Sequence, residues 1–320
     1  MPQPVPGHRG DSPRLPAPFR RLTVATVIVS LVLVAVGGVV RATDSGLACP
    51  TWPGCLSVGD FVPPAELHVW IEHTHRLVAG VLLVMIAAQL GWAWMRFRSR
   101  PEILWSAGIA AALVLAQAAL GAIVVLLRLR AELVTAHLGL AMALIGVLLF
   151  LAVAAARPSV AGISPLARTA AVVAGIAYVQ ILLGGHMSGK GTGLAYVQRP
   201  LLGVFALGPV QGEAEAVNVA HRVLAVVLVG GVMALAATAR RAGAAGWPLR
   251  LPRIAAWLVT IQVALGIANL ASRLSFLAVI PHLAVASWLW AALVLEALLA
   301  SRTATAQPAE PARTAVGAAL

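Results

Sequence analysis

Long apolar runs separated by short polar segments make up almost the whole chain. A membrane-spanning helix needs about 20 mostly apolar residues, and eight stretches reach that length. The first run is too long for a secretory signal core, so we interpret it as a retained helix. The pattern predicts an all-α integral membrane protein with eight transmembrane helices, at approximately 22–40, 71–95, 103–127, 133–156, 168–187, 217–238, 254–272 and 276–300.

The composition supports this prediction. The 320 residues are 60% hydrophobic and only 11% charged, and the mean hydropathy is +0.92. Soluble domains contain about 25% charged residues, so a single water-soluble globule is excluded. The net charge of +12 does not require a nucleic-acid partner, because cytoplasmic loops of membrane proteins retain Lys and Arg.

The cationic side chains lie mainly on one side of the predicted helices. Eight spans place both tails on one side, and the tails and loops there carry 15 of the 23 Lys and Arg residues. We therefore expect a cell-membrane protein with cytoplasmic termini and with the long loops 41–70 and 188–216 facing outward. Segments 1–21 and 301–320 are predicted to be disordered cytoplasmic tails, and 157–167 a cytoplasmic linker.

Both cysteines, Cys49 and Cys55, lie in the first outward loop. A disulfide is the favoured interpretation, because that side of the membrane is oxidising. The small ring that it closes could be structural, or it could exchange electrons with a partner thiol.

Three separate pieces of the sequence recur in the same order at offsets of 147, 146 and 145 residues. They are Gly37-Gly38 with Gly46-Leu47-Ala48 and Gly184-Gly185 with Gly193-Leu194-Ala195; His75-Arg76 and His221-Arg222; and Gln117, Gly121 and His137 with Gln262, Gly266 and His282. We therefore predict two tandem four-helix bundles, 22–156 and 168–300, related by a pseudo-two-fold axis along the membrane normal. Cofactor sites in bundles lie between facing helices.

Four histidines belong to this repeat, as the pairs His75 with His137 and His221 with His282. Each lies a few residues inside the outward end of an even-numbered helix, which suits a haem held from both faces by two imidazoles. Zinc would require three or four ligands, and each half offers two. A lone buried histidine is more often a packed core residue, but two matched pairs favour ligands. We interpret the other four histidines as structural or peripheral: His8, His68, His73 and His186. Of these, His68 is a candidate for the mouth of the site.

The two copies differ beside the first histidine. Glu72 precedes His75 by three residues on the same helical face, and Asn218 occupies the matching position in the second half. A buried carboxylate can transfer protons or stabilise a cationic intermediate. The difference predicts a chemically active first half and a second half that holds a permanent cofactor. An ion pair between Glu72 and Arg76 is the structural alternative, and it is compatible with a catalytic role.

Two further groups of residues have expected roles at these sites. The repeated glycines at 37–38, 121, 184–185 and 266 would allow close approach between helices, or between a helix and a flat macrocycle. Cations at the outward rim that could pair with haem propionates are Arg41, Arg76, Lys190 and Arg222.

These residues together resemble the heme A synthase family. The matching motifs are Gly-Gly-x-x-Arg-x-Thr-x-Ser-Gly-Leu-x-Cys-Pro-x-Trp-Pro-x-Cys (37–55), Glu-His-Thr-His-Arg (72–76), Thr-Ala-His-Leu (135–138), Asn-Val-Ala-His-Arg (218–222) and Pro-His-Leu (281–283). The resemblance extends from about residue 22 to 300. It implies an eight-helix membrane oxidoreductase that converts the C8 methyl group of haem O to the formyl group of haem A by two successive hydroxylations.

The resemblance also implies a role for each site residue. His221 and His282 would ligate a resident haem b, His75 and His137 would flank the substrate haem O, and Glu72 would be the catalytic carboxylate. Cys49 and Cys55 would match the first-loop cysteine pair of the family, whereas a second pair found in some members is absent, because Tyr196 and Leu202 occupy those positions.

The expected partners are haem O, membrane lipids, a haem O synthase and a thiol or quinol electron donor, without nucleic acid; the oligomeric state stays open. One alternative function is a di-haem b electron-transfer protein without substrate turnover, which would not need a carboxylate in only one half. A transporter with histidine proton relays is a second alternative, but it would not require four histidines at one depth.

Overall fold

A computed structural model describes residues 14–57, 59, 62, 64–156, 164–195 and 212–303. These residues form eight α-helices and no strand, which confirms the all-α prediction. Each helix is long and apolar enough to cross a membrane, so the chain is a multi-pass membrane protein. The helices are α1 (Ala17–Ala42), α2 (Leu67–Arg96), α3 (Pro101–Leu126), α4 (Ala131–Ala156), α5 (Pro165–Lys190), α6 (Gly212–Arg241), α7 (Trp247–Ala271) and α8 (Phe276–Thr303).

The first helix begins earlier than predicted. Residues 17–21 were expected in a disordered tail but are helical, and Phe19 is fully buried in edge-to-face contact with Trp92 and Phe97. The prolines at 16 and 18 flank the helix start, where a missing N–H costs no intrahelical bond. The Leu15 N–H donates to the Ala155 carbonyl at 3.1 Å, so the chain before α1 is also anchored. Residues 1–13 lie outside the described part of the chain.

Other predicted boundaries also shift, mainly because the helices extend beyond their apolar runs. α5 begins at Pro165, where the Ser164 hydroxyl accepts a hydrogen bond from the Ala167 N–H at 3.0 Å, so the predicted linker is too long at its end. α8 continues to Thr303. Residues 157–163 and 304–320 lie outside the described ranges. α2 begins at Leu67, so His68 lies in its first turn. The prediction, which began this helix at residue 71, had placed His68 outside it.

The helices form two four-membered rings. In the first ring α1 contacts α2, α2 contacts α3, α3 contacts α4 and α4 contacts α1; α5 to α8 repeat this order. The rings join through contacts of α1 with α8, α4 with α5 and α4 with α8. Among the described residues α2 does not contact α4, and α6 does not contact α8, so these helices lie diagonally across their rings.

Small residues bring the two rings together. A Cβ added at Gly139 of α4 would lie 2.9 Å from Leu182 of α5, and one added at Gly146 would lie 3.1 Å from Trp290 of α8. Such positions let transmembrane helices pack closely. Arg41 also donates to the carbonyl of Ser188, the residue that corresponds to it at an offset of 147, at 2.6 Å. A two-fold relation would bring corresponding positions together in this way, although the axis itself stays a prediction.

Candidate functional site

The four repeated histidines lie near one end of the molecule, which we call the disulfide end because it carries Cys49 and Cys55. Each occupies the first ten residues of an even-numbered helix that starts there, and each side chain is half-buried. His75 and His137 lie on α2 and α4, and His221 and His282 lie on α6 and α8. The members of each predicted pair therefore lie near the starts of two helices that are diagonal to each other in one ring.

Each histidine ring packs against a glycine of the preceding helix. Added Cβ atoms at Gly37, Gly121, Gly184 and Gly266 would lie 3.2, 3.1, 3.1 and 3.4 Å from the Cε1 atoms of the four histidines, in chain order. Ordinary van der Waals contacts begin at about 3.4 Å, so any larger residue at the first three positions would displace the ring. The glycines thus act as predicted, by allowing close approach, and the approaching group is the imidazole.

Two glutamines fix the backbone beneath the rings. Gln117 donates to the His137 carbonyl at 3.0 Å, and Gln180 donates to the His221 carbonyl at 2.9 Å. Each glutamine lies one turn before a repeated glycine on the same helix. The helix segment that carries the ring is therefore held by a side-chain hydrogen bond as well as by packing.

The histidine rings themselves are not fully satisfied. The Nδ1 atoms of His75, His137, His221 and His282 are buried and have no hydrogen-bond partner among the described residues. A buried nitrogen without a partner is costly, so the four rings retain the capacity to bind a ligand.

These residues fit a haem better than an isolated metal ion. The described part of the chain holds no group of three or more His, Cys, Asp or Glu side chains that could bind a metal ion. Two imidazoles on diagonal helices of a four-helix ring suit a planar macrocycle with ligands from two helices.

Glu72 is buried beside the first pair, with 3% of its surface exposed. Its Oε2 atom accepts a hydrogen bond from the Cys49 N–H at 2.7 Å, and its Oε1 atom accepts one from Arg76 at 2.5 Å. The Arg76 guanidinium also donates to the carbonyls of Cys49, Thr51 and Gly54 at 2.6 to 2.8 Å. The ion pair considered from the sequence is therefore present, and it is part of a wider network that fastens the first loop.

In the second half, a neutral side chain occupies the position of Glu72. Asn218, 1% exposed, donates to the carbonyls of Thr192 and Gly193 at 3.3 and 3.2 Å. Arg222, which corresponds to Arg76, is also buried. Tyr196 and Leu202, which correspond to the two cysteines, lie outside the described residues. The two copies therefore place a charged and a neutral side chain at corresponding positions.

Comparison with known proteins agrees with the fold and with the motifs. The family model COX15-CtaA, described as cytochrome oxidase assembly protein, matches residues 20–69 and 65–294. The chain belongs to this family. The match includes six helices completely and most of α1 and α8, and it contains every histidine of the two pairs.

Several curated members of the family are named heme A synthase. The protein from Geobacillus kaustophilus is 38% identical over 130 residues, which are 41% of this chain and 40% of that protein. The proteins from Shewanella oneidensis and Methylobacterium sp. are 26% and 28% identical over 305 residues, covering 80% and 78% of this chain and 89% and 83% of those proteins. The chain thus spans about two fifths of the length of the first of these relatives and most of the other two.

The family match leaves the rim cations untested. Arg41 pairs with Asp44 at 3.2 Å, and Lys190 pairs with Glu132 at 2.7 Å between α5 and α4. Arg76 already uses four of its five N–H groups. Propionate binding by these side chains stays a prediction. Arg41, Arg76 and Lys190 would have to give up some of these contacts in order to bind a propionate.

The remaining histidines make local contacts. His68 is exposed and bonds the Ser45 hydroxyl at 2.9 Å, and His186 lies 3.2 Å from Glu213. His73 is buried with its ring edge-to-face against Trp70. These contacts agree with the structural interpretation of these three residues, whereas His8 lies outside the described part of the chain.

Sequence reasoning missed one buried acid. Glu296, in α8, is 1% exposed, and neither carboxyl oxygen has a hydrogen-bond partner among the described residues. The signal was available, because a single acidic residue interrupts an otherwise apolar run, and such residues are costly within a membrane. The corresponding residue of the first half, at an offset of 145, is Leu151, which is also fully buried.

Proposed function

We propose that this chain is a heme A synthase, a membrane oxidoreductase that oxidises the C8 methyl group of haem O to a formyl group by two successive hydroxylations. The observation that carries the proposal is the matched set of histidines, two in each ring, with a buried carboxylate, Glu72, beside His75 and a buried amide, Asn218, at the corresponding position of the second half. The relatives named heme A synthase support the same activity.

The two sites would have different occupants. His221 and His282 would hold a haem b, which would supply a redox-active iron when bound. His75 and His137 would flank haem O, the substrate. Asn218 supports this assignment, because an amide beside the second site can hydrogen-bond but cannot exchange protons at neutral pH.

Glu72 would be the catalytic carboxylate of the first half. It lies on the helical face of His75, and burial removes it from bulk water, where its charge would be screened. A carboxylate held in a fixed position can stabilise positive charge developing at the reacting carbon or accept a proton from it. Its bonds to Arg76 and to the Cys49 N–H would keep one geometry through the reaction.

Charge distribution supports a topology for the proposal. The outward orientation of the disulfide end, with both termini cytoplasmic, follows from the excess of Lys and Arg at the opposite end of the helices. Both haem sites would then lie toward the outer side of the membrane. A quinol or thiol donor and a haem O synthase are compatible partners in that membrane.

Identification of the bound pigments tests the proposal. The protein, purified from cells that supply haem O, is expected to contain haem b together with haem O or haem A. A Glu72→Gln variant is expected to retain haem b and lose nearly all haem A production, with a small residual rate, whereas Glu102→Gln, at the opposite end of the molecule, retains both. Haem b alone under every condition would contradict the enzyme and favour the di-haem electron carrier.

A further inference from the structure

The Cys49–Cys55 disulfide closes a small ring directly against Glu72. The two Cα atoms are 4.3 Å apart, and the cysteines are 0% and 1% exposed. They pack with Ala48 and Val69, which lies on α2 one turn before Glu72. The two cysteines are therefore buried against α2, whereas Pro50, Trp52 and Pro53 form the exposed side of the ring.

Burial of the sulfurs decides between the two roles that the sequence left open. Thiol–disulfide exchange begins with a thiolate that reaches one sulfur atom. Neither cysteine offers a surface that a partner protein could reach in the fold described here. A structural role is therefore favoured, and the contacts of the ring show what it would support.

The ring presents two backbone groups of Cys49 to the charged pair on α2. Its N–H donates to Glu72 at 2.7 Å, and its carbonyl accepts from Arg76 at 2.6 Å. Arg76 also binds the Thr51 and Gly54 carbonyls within the ring and the other oxygen of Glu72. Both carboxylate oxygens are thus held by groups whose positions depend on the shape of the ring.

The second half of this chain lacks both partners of this arrangement. Asn218 replaces Glu72, and Tyr196 and Leu202 replace the cysteines, whereas Arg222 retains the arginine. The ring and the carboxylate therefore occur together in one copy and are absent together from the other.

We propose that the Cys49–Cys55 ring and Arg76 form a clamp that positions the Glu72 carboxylate toward the first histidine pair. The inference rests on the proposed function, because it assigns the clamp to the reaction of that site. Arg76 and the ring are positioning elements, and Glu72 is the group that they orient. The disulfide stays closed during the reaction, and no electron passes through it.

Backbone amide exchange tests the clamp without any turnover. In the intact purified protein, Arg76→Lys and Glu72→Ala are expected to accelerate hydrogen exchange at the Cys49 amide at least about tenfold, because its acceptor is lost or loosened. Lysine keeps the charge but lacks the fork that binds several carbonyls at once. Arg98→Lys, at an exposed arginine in the turn after α2 that donates to the Trp94 carbonyl, is the matched control and should leave exchange unchanged. Unchanged exchange in both test variants would overturn the clamp.

A mutant cycle tests the route by which the ring acts. The double variant Cys49→Ala/Cys55→Ala is expected to lower the kcat for haem A formation about 100-fold, with KM and haem b content retained. The same change in a Glu72→Gln background should cost no more than about twofold, because the ring acts through that carboxylate. Losses that multiply would refute the positioning role and favour electron exchange. Absence of haem A from the wild-type protein would instead refute the proposed function, and the exchange result would still test the clamp.

Discussion

Replacement of Gly184 by alanine tests the packing of the proposed haem b site. The added Cβ would lie 3.1 Å from Cε1 and 3.7 Å from Nδ1 of His221, so the ring must move by a few tenths of an ångström. Overpacking of this kind costs about 1–3 kcal/mol. If the whole cost falls on the ligand position, the affinity for haem b decreases roughly 5- to 150-fold, since 1.4 kcal/mol is a factor of ten.

The same helix supplies a matched control for this substitution. Gly175 is also within α5, but a Cβ added there would meet nothing within 4 Å. Gly175→Ala should therefore retain haem b, and its free energy of unfolding should increase by up to about 1 kcal/mol, because alanine has a higher helix propensity than glycine. The assay is haem b content after titration of the purified apoprotein, with the absorption spectrum of the bound haem. Equal affinity and equal spectra in the two variants would refute the glycine–imidazole contact as a determinant of the site.

Two other substitutions use the internal repeat as their reference. Glu296→Leu is expected to stabilise the protein by about 1–3 kcal/mol, because it removes a buried carboxyl group that has no partner among the described residues. The new side chain would match the buried Leu151 of the first half. A thermal midpoint lower than that of the wild type would contradict this. His282→Ala should abolish haem b binding whereas His137→Ala retains it, as measured by the pigment content of each purified variant, and the opposite result would exchange the roles of the two halves.

The sequence predicted the helices well but not their ends. The first apolar run stops at the arginines and prolines that precede residue 22, so the helix predicted at 22–40 did not include residues 17–21. Phe19 shows why these residues are helical, since its ring packs against Trp92 and Phe97, which are distant in sequence. Contacts of this kind cannot be read from a local apolar run.

The candidate site shows the same division. The histidine pairs could be predicted, because a repeat with matched spacing constrains both depth and partner. The network of Arg76 could not, because its acceptors are backbone carbonyls at 49, 51 and 54, whose directions depend on the path of the loop. The ion pair of Glu72 with Arg76 could be predicted, because the two residues are one helical turn apart. The hydrogen bond from the Cys49 N–H to Glu72 could not, because it depends on the path of the loop.

Closure of each ring by its own first and last helix has a consequence for synthesis. α1 contacts α4, and the Leu15 N–H bonds the Ala155 carbonyl where α4 ends. The ribosome delivers the N-terminal half first, and domains generally fold as units in that order. The first ring has all its helices once α4 is inserted, so we expect it to close before α5 leaves the ribosome. The last helix, α8, then docks onto α1 and α4 that are already in place, and assembly of the whole molecule waits for its final 28 helical residues.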